Sequence, residues 1–149
     1  MNYTLSELAL MTGYSVRSLR NFYRQGILTG TMVAGRYVFS GEDVESFVTQ
    51  PFIKSGIKTK TRMQVQHFLE EEHVKQPATC LVHDQPGREQ AEELNRALLE
   101  YINGECVGAL SYTYLFYDKK EVGRFIFIGQ IGELAAVMER IGKSQRISS

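Results

Sequence analysis

The stretch SVRSLRNFYRQ, residues 15–25, decides how the rest of the chain is read. Wound at about 100° per residue, it places Arg17, Arg20, Asn21 and Arg24 along one face, with Val16, Leu19, Phe22 and Tyr23 on roughly the opposite side. Such a helix is built to be seated from its apolar back and to present a cationic and amide front to something anionic. Charge clusters on helices are most often solvated faces. Three arginines without an acid among them also suit phosphate and base edges, because the guanidinium fork meets both bidentately.

Working outward, Thr4-Leu5-Ser6-Glu7 has the form of a capping box and opens a helix whose expected core anchors are Leu5 and Leu8, with Ala9 and Thr12 on the same stripe. Gly13 stands where a helix ends in a left-handed residue, and Ser15 is a ready N-cap for the next one. Two short helices around Gly13-Tyr14-Ser15 make a helix-turn-helix pattern. The second closes at Gln25-Gly26. Ile27-Leu28 and Tyr37-Val38-Phe39 read as short strands flanking a turn-rich segment that ends Ala34-Gly35-Arg36, so a hairpin is expected with Arg36 near its tip. Ser40-Gly41-Glu42-Asp43 then opens a third helix, with Phe39 as its staple residue and Val44, Phe47 and Val48 facing the first two helices.

The runs LSELALMTGYSVRSLRNFYRQGIL (5–28) and GRYVFSGEDVESF (35–47) together resemble the MerR-type winged helix-turn-helix and the related small excisionase-like domain. The resemblance rests on Leu19-Arg20, Phe22, the Gly26-Ile27-Leu28 exit, the Gly35-Arg36 wing and the helix start at Ser40, and covers about a third of the chain. It implies that the second helix enters the major groove while the wing touches the backbone. Arg17, Arg20, Asn21 and Arg24 become groove or phosphate contacts, Ser15 and Ser18 join them as DNA-binding residues at the helix start, and Arg36 is a wing contact to phosphate. Asn21-Phe22 stands where the family commonly has an aromatic pair, and Gly35-Arg36-Tyr37 inverts the common wing order. Arg20 lies nearer the apolar side than Arg17 or Arg24 and suits either DNA or a clamp on the domain's own backbone.

Charge distribution points the same way. Net charge is zero, but residues 1–62 carry eight Lys+Arg against four Asp+Glu, while residues 63–149 carry nine against thirteen. No acid lies between Glu7 and Glu42, where four arginines do. A nucleic-acid-facing half beside a differently employed one is the reading this asymmetry favours. Lys54, Lys58, Lys60 and Arg62 form a basic tract suited to a flexible tether or to a phosphate-tracking arm.

Pro51 ends the third helix, and residues 51–61 read as a basic linker between a winged domain at 1–50 and a second domain at 62–149. A helix is expected from 61 to 73, too short and too poorly heptadic for the long dimerising helix of MerR regulators. Beyond Pro77 the pattern is strand (78–83), amphipathic helix (88–103), hairpin (110–118 and 121–130) and helix (131–141), giving an α+β chain overall. Tyr112, Tyr114 and Phe116 alternate on one face, which serves core packing first and a ligand pocket or dimer interface second. A thiol sensor built from Cys80, Cys106 and His83 is a weaker reading, as is an anion site at Gly129-Gln130-Ile131-Gly132.

No nucleophile, carboxylate and histidine assemble at motif spacing, so no enzyme, metal or cofactor is expected. Neither a signal peptide nor an apolar run of about 18 residues is present, and a cytoplasmic location follows. The expected function is sequence-specific DNA-binding transcriptional regulation, with double-stranded DNA as partner. A homodimer or higher homo-oligomer would read two half-sites, and the second domain would take a small-molecule effector or a protein. The rivals are an excisionase-like protein that bends DNA and a protein-interaction adaptor using the same arginines on an acidic partner.

Overall fold

The computed structural model describes residues 2–105 and 110–148. The architecture is mixed α+β, with six helices and two three-stranded antiparallel sheets among the described residues. The chain divides into two units, Met1–Gln64 and Val65–Ser149.

The first unit opens with a two-residue strand, β1 (Asn2–Tyr3), and then α1 (Leu5–Thr12). Thr4 caps α1 as the sequence predicts: its hydroxyl accepts from the Glu7 amide at 3.1 Å, and Glu7 Oε1 accepts from the Thr4 amide at 2.9 Å. That exchange draws Glu7 into the buried set. The second core anchor on α1 is Met11 rather than Leu5, which stays half-buried. Gly13, at φ +81°, ends the helix by donating to the Ala9 carbonyl. Ser15 then accepts from the Ser18 amide at 3.0 Å and starts α2 (Val16–Arg24).

Ile27-Leu28 is not a strand. Both amides donate back to the Phe22 carbonyl, at 2.9 and 3.2 Å, so these residues close the helix while Leu28 is buried. The hairpin begins later, as β2 (Thr31–Val33) and β3 (Arg36–Ser40). Val33 faces Arg36 across a two-residue turn in which Ala34 and Gly35 both have positive φ, the backbone sense that matches the strands' right-handed twist. On its other edge β3 pairs with β1, Tyr3 opposite Phe39. α3 (Gly41–Val48) follows under a second capping box, Ser40 with Asp43. Leu8, Leu19, Leu28, Phe39 and Phe47 form its core with Ile53 and Ile57 from the next helix.

That helix corrects the reading of residues 51–61 as a linker. α4 runs from Pro51 to Glu70, 20 residues or about 30 Å. Pro51 starts it, because the first helical position needs no amide hydrogen. Ile53, Ile57 and Thr61, one turn apart, are buried along it. The expected helix from 61 to 73 is therefore the end of a longer one, and the boundary between the units falls within it.

The second unit holds β4 (Ala78–Pro86), α5 (Arg88–Glu105), β5 (Ser111–Tyr117), β6 (Val122–Gln130) and α6 (Ile131–Ser148). This is the predicted order, with β4 three residues longer and α6 seven residues longer than expected. Strand order is β4-β6-β5, and β6 is antiparallel to both neighbours. Both helices pack on the face that carries Gly123, Phe125, Phe127 and Gly129. A Cβ on Gly123 would meet Ala91 of α5 at 2.5 Å, and one on Gly129 would meet Leu134 of α6 at 2.9 Å. Leu94, Leu98, Leu99, Leu134 and Val137 complete this core. No helix among the described residues is long and apolar enough to cross a membrane.

Candidate nucleic-acid interface

The cationic side of α2 is set by what its other side buries. Leu19 is fully buried, and Phe22 packs its ring against Tyr14 at 5.3 Å and Phe47 at 5.7 Å between centroids. With that face seated, Arg17, Arg20, Asn21 and Arg24 are all exposed, and Ser15 is exposed beside half-buried Ser18 at the helix start. The Ser18 and Ser15 hydroxyls bond to each other at 3.0 Å. Arg24 Nη1 donates to Asn21 Oδ1 at 3.4 Å, which sets that amide beside a guanidinium rather than against the fold.

Among the described residues, no carboxylate pairs with Arg17, Arg20, Arg24 or Arg36. Arg20 is exposed, and among the described residues its side chain makes no bond to the backbone, so nothing there supports the clamp alternative. In the second unit two arginines are held by acids. Arg124 forks onto Asp84 at 2.8 and 2.9 Å, and Arg88 pairs with Asp118. The Arg124 guanidinium holds the Asp84 carboxyl below the usual carboxylate range.

The hairpin is tied to the same surface. Tyr37 of β3 meets Tyr23 of α2 edge-on at 5.0 Å and stacks on Phe39, so the hairpin and the helix share one aromatic seam. Arg36 leaves that hairpin directly after its turn and is exposed. Beside it stand Met32 and Val33, 50% and 57% exposed, apolar side chains with solvent around them at the hairpin tip. Neither charge nor motif singles out these two residues in the sequence. The signal was present in Thr31-Met32-Val33, a β-prone run placed directly before a positive-φ pair.

Tyr14 anchors the turn between α1 and α2. Its hydroxyl donates to the Ile53 carbonyl of α4 at 3.2 Å, and the Lys60 ammonium lies 5.1 Å from its ring centre. Lys60 is thus part of the packing around the turn, and the tract Lys54, Lys58, Lys60 and Arg62 is mounted on a helix rather than on a flexible tether. Gln50 closes the opposite end, donating to the Ile27 carbonyl at 2.7 Å.

The weaker readings in the second unit come apart structurally. Cys106 lies outside the described residues. Cys80 is a free, half-buried thiol whose burial raises its pKa, the reverse of activation. His83 sits three residues along the same strand and so projects from the other face. At the start of α6, Glu133 Oε1 accepts from the Gln130 amide, filling the place an anion would take. Tyr112 is buried with its hydroxyl on Asn95, while Tyr114 and Phe116 are half-buried. Among the described residues no cluster of His, Cys, Asp and Glu could hold a metal ion. Comparison with protein-family models, with curated proteins and with solved structures finds no match to this chain.

Proposed function

We propose that this protein is a sequence-specific DNA-binding transcriptional regulator whose first unit is a winged helix-turn-helix. In this reading α2 enters the major groove, and the β2–β3 hairpin is a wing whose Arg36 touches the backbone. The observation that carries the proposal is the contrast between two sets of arginines. Those of α2 and the hairpin are exposed without an acid partner among the described residues, while Arg88 and Arg124 are paired with carboxylates. A guanidinium without an acid partner has no ion pair to give up when it meets phosphate or guanine, and the fork suits both. Asn21 beside Arg24 adds an amide of the type that reads adenine. A copy of this module alone buries too little DNA for high specificity, so the regulator acts as a homodimer on two half-sites. The second unit serves assembly or response to an effector or partner.

The test is duplex binding by the full chain with Arg17→Ala and Arg24→Ala together. Both side chains are exposed, so the thermal transition should stay within the usual surface range of about 0.5 kcal/mol. Loss of two contacts at about 1–3 kcal/mol each should weaken binding by two to three orders of magnitude. Wild-type affinity of the double variant at about 0.15 M salt would end the proposal.

A further inference from the structure

We infer that β4 is the dimerisation edge of the second unit, and that its occupant is β4 of a second copy, joined antiparallel about a two-fold axis at Leu81. The two sheet edges differ. On β5, Tyr112, Thr113 and Leu115 are buried and no residue is exposed, so that strand lies deeper than β4. Along β4 only Gln85 is buried; residues 78–81 and 83 are half-buried, and Val82 is 51% exposed. Among the described residues β4 pairs with β6 alone, which leaves every second amide and carbonyl of a nine-residue strand facing outward.

Native sheets blunt such edges with lysine, proline, bulges or shortness. From Ala78 to His83 this one, ATCLVH, has no permanent charge, proline or glycine, and nine consecutive pairs with β6 leave no bulge. Prolines stand at 77 and 86, bracketing the segment that can donate.

The register follows from symmetry. Residues opposite one another in an antiparallel pair must turn their amides toward the same seam, so a two-fold pairing of identical strands centres on a residue and not between two. Centring on Leu81 pairs Ala78 with Asp84, Thr79 with His83 and Cys80 with Val82. It uses seven proline-free residues, whereas centring on Val82 brings Pro86 opposite Ala78. No like charges meet, since each Asp84 faces an alanine. The result is a six-stranded sheet with α5 and α6 of both copies on one side, because an axis normal to the sheet preserves its faces. Self-pairing of a neutral edge favours a second copy over a charged peptide. This inference stands apart from the DNA reading, as dimerisation is measured without DNA.

The experiment is sedimentation of the full chain from about 1 to 100 µM, with Val82→Lys and Val82→Thr beside the wild type, and hydrogen exchange at both extremes of concentration. The wild type and Val82→Thr should be dimers. Val82→Lys should raise the dissociation constant roughly a hundredfold with an unchanged far-ultraviolet spectrum, since an edge lysine blocks pairing without touching the core. Alternate amides of residues 78–84 should exchange more slowly in the concentrated wild-type sample. A monomeric wild type overturns the inference. So does a dimer that Val82→Lys leaves intact, or one whose β4 amides exchange at the same rate at every concentration; the exchange measurement decides even if the lysine variant does not fold.

Discussion

At the scale of the residue, Asp43 shows how one carboxylate joins three pieces of chain. Its Oδ2 accepts from the Ser40 amide at 2.9 Å, closing the capping box of α3, and its Oδ1 accepts from Thr29 at 3.0 Å across the loop before the hairpin. The Ser40 amide, more than anything else, holds the Asp43 carboxyl below its ordinary range. A carboxyl lowered in the folded state lends stability that is present above its unfolded pKa and lost as pH falls through the folded one. Stability to urea should therefore decline as pH drops below about 4. Asp43→Asn should cost about 1 kcal/mol at neutral pH, the usual worth of a cap, and should flatten this acid decline. Asp84, lowered by Arg124, acts in the same direction in the other unit, so the decline should shrink in Asp43→Asn without vanishing. An acid decline as steep in Asp43→Asn as in the wild type would show that the cap carboxylate is not linked to folding.

At the scale of the element, Gly56 decides how α4 meets the turn between α1 and α2. A Cβ there would stand 2.0 Å from the Tyr14 hydroxyl oxygen, which itself donates to Ile53 of the same helix. Two effects oppose one another in Gly56→Ala: helix propensity favours alanine by about 1 kcal/mol, while overpacking against a rigid ring costs about 1–3 kcal/mol. The clash should win, leaving the variant destabilised by about 1 kcal/mol in urea unfolding. Placed in a Tyr14→Phe background, where the hydroxyl is gone, Gly56→Ala should become neutral, and the double-mutant cycle reads this coupling directly. Additive effects would mean that the helix and the ring do not touch. The same glycine explains what was hidden in the sequence. Local chemistry was legible: Thr4 and Glu7, Gly13, Ser15, and Ser40 with Asp43 all behave as their residue types demand. Pro51, Gly56 and the lysines read as a linker because proline at a helix start and glycine inside a helix carry the same letters as a break. Only the burial of Ile53 and Ile57 and the seat of Tyr14 over Gly56 turn them into helix, and those are tertiary facts. Likewise Arg20 is exposed because Leu19 and Phe22 fix the rotation of α2, a matter the helical wheel left open by a few tens of degrees.

At the scale of the whole molecule, zero net charge conceals an arrangement that only a count by region reveals. Nine basic and thirteen acidic residues in 63–149 offset eight against four in 1–62, so bulk charge predicts no attraction to nucleic acid. On the proposed function, affinity would arise from local contacts within the first unit, and its salt dependence counts the phosphates those contacts meet. Each phosphate neutralised on a duplex contributes about 0.9 to the slope of log affinity against log salt. If Arg17, Arg24 and Arg36 each meet a phosphate, binding by one copy should show a slope near −3, doubled in a dimer on two half-sites. Arg36→Ala, on the hairpin, should lower the magnitude by about 1 per copy and weaken all sequences alike. Asn21→Ala should leave the slope unchanged while narrowing the gap between preferred and random duplexes, because an amide reading a base edge releases no counterion. Fluorescence anisotropy at four or five salt concentrations resolves both quantities. A wild-type slope shallower than about −1 would leave the exposed arginines without phosphates to meet, and the DNA reading would fall with them.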